Sequence, residues 1–142
     1  MIIELDSSDL LIAPPKMPDL RFRKTVLMLT HEHEEGMTGL CLNKPTHHTL
    51  QDIAREIGLD IDPHLNFPLY WGGPVGHNTI WMLHTTDWAM DETIELNDNW
   101  AMTSTVKMFA HIADGDIPKH FRLMFGYCSW APGQLEAELL GS

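Results

Sequence analysis

Apolar residues along this chain fall into two rhythms: short continuous runs, and a spacing of three to four. Runs over 10–13, 25–30, 38–43, 67–71, 79–84, 93–96 and 121–127 have strand length and end at Pro, Gly or polar clusters. The polar stretch from His31 to Gly36 reads as a loop, so the second and third runs predict a hairpin. The helical spacing is clearest at Leu50, Ile53, Ala54 and Ile57, which form one stripe and predict a helix over 49–58. Thr49 can cap its start, Asp52 sits in the favourable first turn, and Gly58 suits its C-terminal cap. A second helix is predicted over 103–113, with Val106, Phe109, Ala110 and Ala113 on one face. A third is predicted over 132–140, with Pro132 at its first position and Leu135 and Leu139 inward. About seven strands and three helices result, and the hairpins imply antiparallel pairing. The fold class expected is therefore α/β in the α+β sense, not a regular βαβ array.

Length adds that 142 residues make one domain over 1–142, with no repeat, low-complexity tract or linker dividing it. At 44 % hydrophobic and 20 % charged residues, the chain can form a core without a disulfide or metal. Charge changes the picture more. Twenty acidic against nine basic residues leave a formal net of −11, which repels phosphate backbones. Nucleic-acid affinity comes mainly from Lys and Arg, and the densest group here is Arg21, Arg23 and Lys24, with Lys16 nearby. That group is an anion-patch candidate or a surface over a buried Phe22. The acidic first residues lack a signal peptide's basic region, and no apolar run approaches membrane-spanning length. A cytoplasmic protein without membrane association is expected.

Candidate chemistry is sparse. Cys41 and Cys128 form no CxxC pair, match no zinc spacing and lie in apolar runs, so both are expected as buried, reduced thiols. His31 and His33 flank Glu32; in an extended segment they point the same way and are weak metal-ligand candidates, the alternative being a solvated loop. His47, His48 and His77 add candidates without geometry. Gly72-Gly73-Pro74-Val75-Gly76 is glycine-rich but is neither a P-loop nor a dinucleotide fingerprint, and Pro74 lacks a donor that a phosphate cradle would use. It predicts a tight turn. Lys44, after Asn43, could hold an anion or be solvated. No GxSxG occurs, and nothing specifies a Cys–His dyad among nine histidines. The five tryptophans are expected as core and interface anchors.

Four segments, in order, carry a resemblance. They are Leu11-Ile-Ala-Pro14 with Arg21-Phe-Arg-Lys-Thr-Val26; Gly36-Met-Thr-Gly-Leu-Cys-Leu-Asn-Lys-Pro45; Gly72-Gly-Pro-Val75 with Leu83-His84; and Gly126-Tyr-Cys-Ser-Trp-Ala-Pro-Gly-Gln-Leu-Glu-Ala-Glu-Leu139. Together they resemble the YqgE/AlgH family of bacterial proteins, from about Leu10 to Leu140. The resemblance implies a mixed, bifurcated β-sheet with a small closed barrel flanked by helices. It also implies an unsettled function: members often carry the label of transcriptional regulator, and no catalytic residues come with it. The chain departs from the family at His31-Glu32-His33, where members commonly have Glu-His-Asn. It also stops at Ser142 where relatives continue for tens of residues, so the family's C-terminal extension is expected to be lacking. An exposed sheet edge there would invite pairing with a second copy, a homo-oligomer.

The motif residues allow two readings. Gln134 and Glu136 suit the first turn of the last helix, and Trp130 shapes the turn into it, which makes a rigid corner. Alternatively Asn43, Lys44, Gly72, Gly73, Trp130, Gln134 and Glu136 are ligand-binding residues. The function expected is non-enzymatic binding or regulation through an unknown protein or small molecule, with no cofactor and no catalytic residue. The alternatives are a small metal-assisted enzyme using His31 and His33, and a DNA-binding regulator, against which the charge argues.

Overall fold

The computed structural model describes residues 10–12, 26–33 and 36–134, and the side chains of 10–12 and 31–33 are outside that description. The strands are β1 (Leu10–Ile12), β2 (Val26–His33), β3 (Gly36–Cys41), β4 (Pro45–Thr49), β5 (Pro68–Trp71), β6 (Val75–Thr85), β7 (Ile94–Glu95), β8 (Trp100–Thr103) and β9 (Phe121–Trp130). The helices are α1 (Leu50–Ile57) and α2 (Lys107–Ala113), with one 3-10 turn at Pro63–Leu65. The third predicted helix lies, after Gln134, outside the described residues.

Helix α1 forms as its sequence predicts. The Thr49 side chain accepts from the Asp52 N–H, the Asp52 carboxylate accepts from the Thr49 N–H, and Gly58 closes the helix at φ 73°. Helix α2 differs from expectation. Residues 100–103 are strand, so the helix starts at Lys107, and its buried face is Met108, Phe109 and Ile112. Val106 is left 67 % exposed and Ala110 also faces solvent, because starting the helix later turns a different stripe inward. The predicted loop 31–36 is corrected too: β2 runs on through His33, in register with Gly36 of β3, past an irregularity between Leu29 and His31. The sequence pattern misses β4, which is polar, and β8, whose apolar stretch is only Trp100 to Met102.

Strand β9 is the hub of the sheet, whose order is β1-β2-β3-β9-β6-β8-β7. One edge of β9 pairs antiparallel with β6. Its other edge pairs first with β5, in parallel from Leu123 to Phe125, then with β3, antiparallel from Cys128 to Trp130. The sheet therefore forks along β9 and curls into a half-barrel. Alternation along β9 and β6 divides two cores. Ile80, Met82, Phe121, Leu123 and Phe125 face α1 and α2, while Trp81, Leu83 and Met124 face Met28, Leu40 and Met102. Both faces are covered where β6 runs from Ile80 to Leu83 beside Leu123 to Phe125 of β9, which is why those stretches read as continuous apolar runs.

One polar line crosses the helix-side core. The His84 Nδ1–H donates to the Thr85 carbonyl, so Nε2 is the acceptor for the Thr103 hydroxyl at 2.7 Å. The Thr93 hydroxyl donates to Thr103, and the Met90 N–H donates to Thr93. His84 is fully buried, and burial pushes its imidazole below the ordinary value.

Candidate functional site

The glycine motif sits at the fork. The Gly72 N–H donates to the Phe125 carbonyl, and the Gly72 carbonyl accepts from the Cys41 N–H, both at 2.8 Å. Gly72 thus hands the edge of β9 from β5 to β3. A Cβ on Gly72 would stand 2.4 Å from the Gly126 oxygen, and one on Gly73 would stand 2.1 Å from the Tyr127 carbonyl carbon. Backbone meets backbone here, and only glycine fits. Cys41 and Cys128 flank the crossing as buried cysteines not joined in a disulfide, as their apolar settings predict.

The remaining motif residues surround the fork. Asn43 Oδ1 accepts from the Val26 N–H at 2.9 Å, and the Lys44 carbonyl accepts from the Trp71 N–H at 2.7 Å. Trp130 is buried, with its ring against Gly39. Gln134 Oε1 accepts from the Ala131 N–H at 2.9 Å, holding the Trp-Ala-Pro-Gly corner. His31 and His33 lie at alternate positions of β2. Among the described residues no group of three or more His, Cys, Asp or Glu could hold a metal. Arg21, Arg23, Lys24 and Glu136 lie outside the described residues.

A cleft of about 850 Å³ opens elsewhere, at the N-terminal end of β9. Met28, Leu42, Phe67, Leu83, Trp100 and Phe121 supply apolar walls, and Asn97, Asn99, Lys119, His120 and Arg122 supply polar groups. The fold places each for a local reason. Arg122 stands beside Leu83 in the β6–β9 register, on the half-barrel face where that core runs out. Its guanidinium donates to the Leu42 carbonyl at 2.5 Å and lies 4.7 Å from the Tyr70 ring centroid. Asp87 anchors the segment before β9: its carboxylate accepts from the Thr85 hydroxyl and the Lys119 N–H. Those bonds hold the Asp87 carboxyl below its ordinary value, with the His120 charge adding a smaller pull. Asn97 Oδ1 accepts from the Asn99 and Trp100 N–H groups, each at 2.8 Å, which shapes the β7–β8 turn into the cleft wall. Among the described residues neither Lys119 nor Arg122 pairs with a carboxylate, whereas Arg55 pairs with Asp52 and Lys107 with Glu92.

The sequence model of the AlgH-like family matches residues 10–141. This chain belongs to the AlgH-like family. It is 34 % identical over 131 residues to a UPF0301 protein of Nitrosospira multiformis, covering 91 % of this chain and 70 % of that protein. A UPF0301 protein of Francisella tularensis subsp. novicida is 34 % identical over 141 residues, covering 93 % of this chain and 71 % of that protein. The solution structure of the AlgH protein from Pseudomonas aeruginosa superposes with a TM-score of 0.77 at 32 % identity, over 92 % of this chain and 70 % of that one. Protein DIP2367 of Corynebacterium diphtheriae, at 22 % identity and a TM-score of 0.75 over 97 % of this chain and 73 % of that one, shares the fold. The mixed α+β architecture with a bifurcated sheet is thus that of the AlgH-like family. No helix among the described residues is long and apolar enough to cross a membrane.

The motif segments that mark this AlgH-like chain and the residues that line its cleft overlap only at Leu42 and Leu83. None of Asn43, Lys44, Gly72, Gly73, Trp130 and Gln134 is a cleft-lining residue. Sequence reasoning passed over Arg122, Lys119, His120, Asn97 and Asn99. One signal was available for Arg122: it is a charge inside the apolar run Phe121-Arg-Leu-Met-Phe125.

Proposed function

We propose that this chain is a non-enzymatic, cytoplasmic binding domain whose cleft takes a small organic anion with an apolar body. The observation that carries the reading is Arg122 and Lys119, without carboxylate partners among the described residues, beside apolar walls in a chain of net charge −11. Apolar walls with a few converging polar groups are the usual make-up of a small-molecule site. Arg122 is held over the Tyr70 ring and by the Leu42 carbonyl, so its remaining donors are set in place before a carboxylate, sulfonate or phosphate arrives. The motif residues then serve by holding the two halves of β9 in register.

Anilinonaphthalene sulfonate, an aromatic ring system bearing one anionic group, is a suitable probe. Titration into folded protein, checked by near-UV circular dichroism, is expected to show one saturable site. Arg122→Gln is expected to weaken it about tenfold, the loss of one charged contact. Asn99→Trp, at an exposed wall of the cleft, is expected to block it. Absence of saturation, or affinity unchanged in both variants, removes this reading. A regulator acting on DNA would instead draw on Arg21, Arg23 and Lys24 and lose affinity steeply with salt.

A further inference from the structure

We propose that Cys41 and Cys128 form an oxidation site, at which a hydroperoxide converts the two thiols into one intramolecular disulfide joining β3 to β9 across the fork. The thiols come from positions 87 residues apart, yet their sulfurs lie 3.6 Å from one another. A disulfide needs about 2.05 Å, so the sulfurs must close by about 1.5 Å. The pair flanks Gly72, where β3 replaces β5 beside β9.

The surrounding hydrogen bonds permit the change. The Cys128 S–H donates to the Gly72 carbonyl at 3.4 Å, and the Cys41 N–H donates to the same oxygen at 2.8 Å. Oxidation removes the S–H donor, but the backbone donor stays. The carbonyl is therefore never left unpaired, and the oxidised state carries no buried polar penalty.

The chemistry balances with the hydroperoxide as oxidant. One cysteine, as thiolate, attacks the peroxide: an S–O bond forms, the O–O bond breaks, and the departing oxygen takes a proton to become water or an alcohol. The second sulfur then attacks the sulfenic sulfur: the S–S bond forms, the S–O bond breaks, and hydroxide leaves with the second thiol's proton as water. Two electrons and two protons pass from the dithiol to the oxidant. Both residues are 1 % exposed or less, so the first step waits for local opening. The β3–β9 ladder is short, running from Met37 to Gly39 against Cys128 to Trp130, and its separation exposes both sulfurs.

Intact mass decides the matter. The chain is treated with hydrogen peroxide, unfolded in guanidinium with iodoacetamide, and weighed. The expected product is about 2 Da lighter with no alkylated cysteine, yields a linked peptide pair on digestion, and regains two alkylatable thiols after dithiothreitol. Closing so long a loop raises Tm by about 5–10 °C. Cys41→Ala under the same treatment gains oxygen at Cys128 and shows no such rise. If that variant does not fold, the wild-type mass alone decides. Two thiols still alkylatable after exposure, a disulfide between chains, or a Tm that falls on oxidation each overturn the proposal.

Discussion

Two regions of one strand, β9, are built from opposite materials. Around Gly126 the fork packs backbone against backbone, with the side chains of Leu40 and His77 close against it and the two thiols beside Gly72. Around Arg122 the strand ends at a cleft of about 850 Å³ with charged groups at its polar side. The difference separates two reasons for an unusual residue. At the fork, the glycines answer a steric demand, and any Cβ collides. At the cleft, Arg122 answers no packing demand that an apolar residue could not meet. The fork is where substitution breaks the fold, and the cleft is where substitution changes what the fold holds.

Substitutions can break or sharpen that contrast. The largest effect is expected at the fork: Gly72→Ala drives a methyl into the Gly126 carbonyl and costs on the order of 3 kcal/mol, read by denaturant unfolding. A loss below about 1 kcal/mol would show that the crossing can relax. Acid should act next, through His84. Its imidazole is neutral in the fold, with its pKa held below the ordinary 6.5 by burial. The unfolded chain therefore binds a proton near pH 6.5 that the folded chain refuses, so stability falls as pH drops below that value. Asp52, Asp62 and Asp87, each with a lowered pKa, add a further loss below their ordinary 3.8. Thermal melts from pH 7.5 to 5 should show the His84 component, and His84→Gln should flatten it.

At the cleft, Arg122→Gln should weaken probe binding about tenfold while costing only about 1 kcal/mol of stability, the scale of its contact with Tyr70. Loss of binding and folding together would erase the contrast between the two regions. Away from both, Asp52→Ala removes half of the α1 capping box and should lower the unfolding midpoint slightly without changing binding. The smallest effect is expected for Lys119→Ala. Its side chain is exposed and unpaired among the described residues, so stability should stay within about 0.5 kcal/mol while probe affinity falls measurably.

How much of this was readable beforehand depended on how far apart the cooperating residues lie. Helix α1 was legible because Leu50, Ile53, Ala54 and Ile57, its cap and its terminal glycine all fall within one short stretch. The β2–β3 hairpin was legible for the same reason, although the polar His31 to His33 hid the strand's continuation. Strand β8 stayed hidden because Trp100 to Met102 is too short a run to mark a strand, Thr103 was read as the start of the helix that follows, and the pairing that makes it a strand comes from β6. The cleft could not be read at all: Met28, Phe67, Leu83, Asn97, Lys119 and Arg122 come from separate segments, and no periodicity links them.

By itself, the sequence determined the fold class, the buried character of both cysteines, the capped helix and, through its ordered motifs, the family. Each of these rests on neighbouring residues or on burial that residue type enforces. Only the tertiary structure decided that Gly72 lies at a fork, that Cys41 meets Cys128, and that Arg122 and Lys119 share a cleft. Those facts depend on which strand β9 pairs with at each point of its length, and that is settled by the closure of distant chain segments.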